Sequence, residues 1–125
     1  MRAAIFAALP ALLLILLPSQ AKTYEPTPDQ MDASLVHAYW LCKSMIGDAK
    51  SDNFSDRNRN LRELGLLDDW KKIPADEVHD MFDFWLVELG GLDKKRTSHN
   101  LQSLRSETER ACWQLVRTRS NWFNN

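Results

Sequence analysis

Two cysteines, Cys42 in "YWLCKSM" and Cys112 in "ERACWQLVR", are the most reactive side chains in this sequence. In an oxidising compartment two thiols normally pair, and a bridge here would close most of the chain into one loop. Other chemistry has weaker anchors. His79 and Asp83 stand one helical turn apart, a spacing that suits two metal ligands, but no third ligand is placed beside them. Asp76, Asp80 and Asp83, with Glu77 beside them, carry carboxylates that could perform acid–base work. An exposed acidic face is the simpler account, and a solvated flank is the simpler account of His79 and Asp83. His37 and His99 are isolated. No serine sits in a nucleophile elbow, and there is no haem-attachment, metalloprotease or zinc-cysteine pattern. The expectation is a protein that is not an enzyme and holds no metal or cofactor.

Trp113 is the remaining conspicuous residue. At helical spacing its neighbours are Ser106, Glu109, Arg110 and Arg117, which make a polar face. A tryptophan among arginines on an outward face has the composition of a binding hot spot. The alternative is that it covers the disulfide or packs beneath the N-terminal leader.

The compartment is indicated by the first residues. Met1 and Arg2 precede an apolar run from Ala3 to Leu17, and Pro18, Ser19, Gln20 and Ala21 come next. This is the layout of a secretory signal peptide, with an apolar run short for a membrane span. Residues 1–21 are expected to be the signal peptide and residues 22–125 a single helical domain; cleavage after Ala21 leaves 104 of the 125 residues. The expected location is the periplasm, with no stable membrane anchor after cleavage. Asn53, Phe54 and Ser55 form a glycosylation sequon, of consequence only in a eukaryotic secretory pathway.

The elements that must position these residues read as helices. Thr27, Pro28 and Gln30 form a capping-box start, and Met31, Leu35, Ala38, Tyr39, Cys42, Met45 and Ile46 recur at helical spacing until Gly47. A short second helix is expected from about Ser55, through Leu61 and Leu64 to Gly65. "LLDDWKKIP" reads as a connector whose Leu66, Leu67, Trp70 and Ile73 tuck under the bundle. Pro74, Asp76 and Glu77 open a third helix with a stripe of Val78, Met81, Phe82, Trp85, Leu86 and Leu89, stopped by Gly90 and Gly91. After the loop "LDKKRTSHN", a fourth helix opens at Ser98. Its stripe is Leu101, Leu104, Thr108, Ala111, Cys112, Leu115 and Val116. No stretch alternates with strand period. The expected fold is all-α, a four-helix bundle-like domain. Cys42 and Cys112 both fall on apolar stripes, so the bridge would staple the first helix to the last through the core.

Charge is unevenly spread. From Lys22 to Asp93 there are eight basic and fifteen acidic residues; from Lys94 onward there are seven and two. A basic segment on an acidic body suits a protein partner with a matching field better than nucleic acid, which calls for a stronger basic excess.

"AYWLCKSM", the proline-led "IPADEVHDMFDFWLVEL", the "GGLDKKRTSHN" loop and "ERACWQLVR" together give a layout that resembles the small periplasmic immunity proteins neutralising peptidoglycan amidase toxins of type VI secretion. The resemblance implies an all-helical inhibitor, often dimeric, that blocks the groove of a cognate amidase with a projecting loop. On this sequence the plug would be Leu92, Asp93, Lys94, Lys95 and Arg96, with Trp113 a further contact and the acidic face of the third helix a secondary or dimer contact. The alternative is a periplasmic helical carrier or acid-stress chaperone.

Overall fold

The computed structural model describes residues 24–47, 53–93, 100 and 104–123, with side chains through Arg119. The described residues are all-helical: α1 Pro28–Met45, α2 Asn53–Glu63, α3 Leu67–Lys71, α4 Ala75–Glu88 and α5 Arg105–Phe123. The expected signal peptide, residues 1–21, lies outside them. No helix among the described residues is long and apolar enough to cross a membrane.

α1 begins as its capping residues dictate. The Thr27 hydroxyl accepts from the Gln30 amide at 3.0 Å, and the Gln30 side chain accepts from the Thr27 amide at 3.0 Å. The apolar stripe understates the burial of this helix. Residues 33–40 are buried without interruption, which one face of a helix cannot achieve. α1 is therefore a central helix, packed by each of the other four. α4 and α5 lie on it and on each other, and α2 and α3 form a second pair on α1.

The Cys42–Cys112 disulfide is formed, with a Cα–Cα distance of 4.9 Å, joining α1 to α5. Both cysteines are fully buried within a core that includes Val36, Tyr39, Phe82, Leu86, Ala111 and Leu115. The stripe expected for the last helix is buried from Leu104 to Val116; Ser98 and Leu101 lie outside the described residues.

The second helix already includes Asn53, ahead of the expected onset near Ser55, and Asn53 is anchored to α1. The buried Asn53 amide donates to the Trp40 carbonyl at 3.3 Å and to the Ser44 hydroxyl at 2.9 Å. The same helix ends in a Schellman turn. Leu66 N–H bonds Leu61 O at 2.7 Å, Gly65 N–H bonds Arg62 O at 3.0 Å, and Gly65 takes φ of 73°. Leu61 and Leu66 are both buried. Leu64, between them, is exposed. The connector is helical in its middle, forming α3.

Asp83 corrects a second expectation. Instead of lying on an exposed acidic face, it is 1% exposed. α4 packs on α1 and α5 together, so its buried arc widens to take in Met81, Phe82, Asp83 and Leu86.

Candidate functional site

Trp113 comes directly after the bridged Cys112 on α5, so its backbone is fixed by a covalent tie to α1 one residue away. Its side chain is 50% exposed. Ser106, Glu109, Arg110 and Arg117 around it are exposed as well. A half-exposed indole on a pinned helix offers apolar area and an N–H donor at little further ordering cost.

The root of the expected loop lies against the same turn of α5. Gly90 is buried at the crossing of α4 and α5, where a β-carbon would stand 2.6 Å from Ala111 O and 2.8 Å from Ala111 Cβ. At Gly91, with φ of 72°, a β-carbon would sit 3.8 Å from Gln114 Nε2. The glycine pair is thus a close-approach contact followed by a left-handed turn. Leu92 N–H then donates to Leu86 O at 3.0 Å.

This geometry revises the expected plug. Leu92 is 2% exposed and belongs to the core, so it anchors the loop and cannot meet a partner. Asp93 is exposed. Lys94, Lys95 and Arg96 lie outside the described residues. What the fold brings together is the glycine pair and the Ala111–Gln114 side of α5; Trp113, in the same turn of α5, faces outward on another side of the helix.

His79 is exposed, and its Nε2 lies 3.2 Å from Asp83 Oδ2. The contact joins a surface imidazole to a buried carboxylate within one helix. Among the described residues no group of three or more His, Cys, Asp and Glu side chains is gathered to hold a metal.

A second cluster was not apparent from spacing. His37 of α1 stacks on Trp70 of α3, with centroids 4.6 Å apart. Arg57 of α2 brings Nη1 to 3.2 Å from His37 Nδ1. Its guanidinium also lies 4.9 Å from the Trp70 centroid and 4.8 Å from that of Phe54. Burial, and then the Arg57 charge, push the His37 pKa down to about 4. Burial also lowers that of Arg57. The available signal was the placement of His37 within "SLVHAYW", where an apolar run continues on both sides of a histidine.

Comparison of the chain with family models, with curated proteins and with solved structures found no match.

Proposed function

We propose that this protein is a periplasmic immunity protein that binds a cognate peptidoglycan amidase toxin of type VI secretion and occludes its active-site groove. In this reading the helices act as a four-helix bundle-like scaffold with α3 embedded in a connector, and the protein has no catalytic activity of its own. The observation that carries the proposal is Trp113. It is a half-exposed indole on a polar helical face, one residue from a covalent staple. The contact surface is then Trp113, Asp93 and the basic run Lys94, Lys95 and Arg96, without Leu92.

Binding kinetics against purified peptidoglycan amidases of type VI secretion provide the test. Trp113→Ala acts mainly on dissociation and weakens binding by about thirtyfold, as for a hot spot of about 2 kcal/mol. Charge reversal at Lys94, Lys95 and Arg96 slows association and weakens its salt dependence. Thermal melts of the Trp113 variant match the parent, since an exposed side chain is removed. If the unmodified protein binds no such enzyme, the inhibitor reading fails.

A second reading, a helical carrier or acid-stress chaperone, is favoured by the buried, arginine-bonded His37 between α1 and the α2–α3 pair.

A further inference from the structure

The five described helices are not held equally. α4 and α5 pack on α1 and on each other, and the disulfide joins α1 to α5. The α2–α3 pair packs on α1 and within itself, and among the described residues no disulfide secures it. A titrating group in that seam alone would act on one pair and spare the rest.

His37 occupies that seam. A guanidinium has donors and no acceptor, so Arg57 Nη1–H must donate to His37 Nδ1 across the 3.2 Å contact. Nδ1 is therefore bare, and the imidazole is neutral with its proton on Nε2. The ring lies against Trp70, so α1, α2 and α3 meet at one imidazole whose protonation state their contact fixes. Protonation would turn the acceptor into a donor facing a donor. It would also place two cations in direct contact in a largely buried site.

The charge that faces this ring is Arg57, from α2. α3 presents the uncharged Trp70; of its charged residues, Asp68 and Lys71 are exposed and Asp69 is half-buried. On α1 the residues one turn away, Ala33, Ser34, Trp40 and Leu41, carry no charge.

We propose that His37, Arg57 and Trp70 form an acid latch, in which protonation of the imidazole releases the α2–α3 pair from α1 while α1, α4 and α5 remain packed. Release uncovers apolar side chains now buried, among them Trp40, Leu61 and Leu66. The latch is independent of the inhibitor reading, which concerns α5 and the loop before it.

The direction of the shift sets the pH window. The folded His37 value, about 4, lies below the ordinary 6.5. Its contribution is complete above about 6.5 and is lost as pH falls toward 4. Amide hydrogen exchange, normalised to intrinsic rates at each pH, reads this residue by residue. Between pH 7 and 3.5, amides of residues 53–71 should lose about a hundredfold protection, while those of 75–88 and 105–119 keep theirs. The loss should track the His37 imidazole chemical shift. In His37→Gln the side-chain oxygen can still accept from Arg57 and nothing titrates, so protection of 53–71 should persist. Protection retained in the parent after His37 has titrated would overturn the latch. So would loss in both regions at one pH, or an equal loss in His37→Gln. Should that variant not fold, the paired imidazole and amide titrations of the parent decide alone.

Discussion

Asn53 shows how one side chain can carry a motif and forbid its use. A glycan attaches to the side-chain amide nitrogen, and in the fold that nitrogen is buried and donates to Trp40 O and Ser44 Oγ. Folded protein therefore offers no acceptor at the sequon. Its amide is also the staple between α1 and the start of α2. Asn53→Ala removes both bonds while Ser44 Oγ still donates to Trp40 O at 3.4 Å, and should cost about 1 kcal/mol, read as a lower urea midpoint. The neighbouring staple is similar in kind: Trp40 Nε1–H donates to Asn60 Oδ1 at 2.7 Å, with both residues buried. Buried indoles and amides of this kind are satisfied in pairs, which makes each partner sensitive to loss of the other.

Among the elements, the junction of α4 and α5 is the tightest. Gly90 lets α4 approach α5 until a β-carbon position would lie 2.7 Å from Leu86 O and 2.6 Å from Ala111 O. Two backbone carbonyls cannot move aside as a flexible side chain could. Gly90→Ala should therefore force the helices apart and cost about 1–3 kcal/mol, with the melting temperature as the measurement. Gly91→Ala is strained for a different reason, its φ of 72°. The same junction sets where the chain leaves α4, so Gly90→Ala also displaces Asp93 of the proposed contact surface. The link from α4 to α1 is polar at one point: Trp85 Nε1–H donates to Ser34 Oγ at 2.8 Å, and that hydroxyl donates onward to Met31 O at 2.7 Å. Trp85 is thus packed and hydrogen-bonded at once, beyond the stripe position that its spacing indicates.

For the whole molecule, the disulfide closes a loop of 70 residues in sequence separation. In the chain-entropy model such a bridge contributes about 4 kcal/mol by restricting the unfolded chain. Domains of this size are stable by about 5–15 kcal/mol in total, so the bridge is a large share. The double variant Cys42→Ala, Cys112→Ala should lose about 4 kcal/mol in chemical denaturation, with a small added loss from emptied sulfur volume beside Met45. Complete burial of both sulfurs gives a second expected outcome: reductant should act on the folded parent only at the rate of unfolding. Set beside the latch, this makes the molecule two-tiered, with α1 and α5 covalently joined and α4 packed on both, and the α2–α3 pair held by hydrogen bonds, stacking and apolar contact.

The sequence by itself determined the all-helical class, the cap at Thr27, the turn glycines at 47, 65 and 91, and the pairing of Cys42 with Cys112. These depend on local backbone preference and on one-dimensional spacing, which the chain carries wherever its helices pack. Tertiary structure decided the rest. Spacing identifies one apolar face, but it cannot count how many neighbours a helix will have. α1 has four and α4 two, so Ser34, His37, Trp40 and Asp83 are buried where a single stripe would leave some of them outside. Leu92 likewise moved from the expected plug to the core because the chain folds back toward Leu86 after Gly91. The His37–Arg57–Trp70 cluster draws on residues 20 and 33 positions apart from three helices. Only packing sets the side-chain geometry that makes an arginine donate to a buried imidazole.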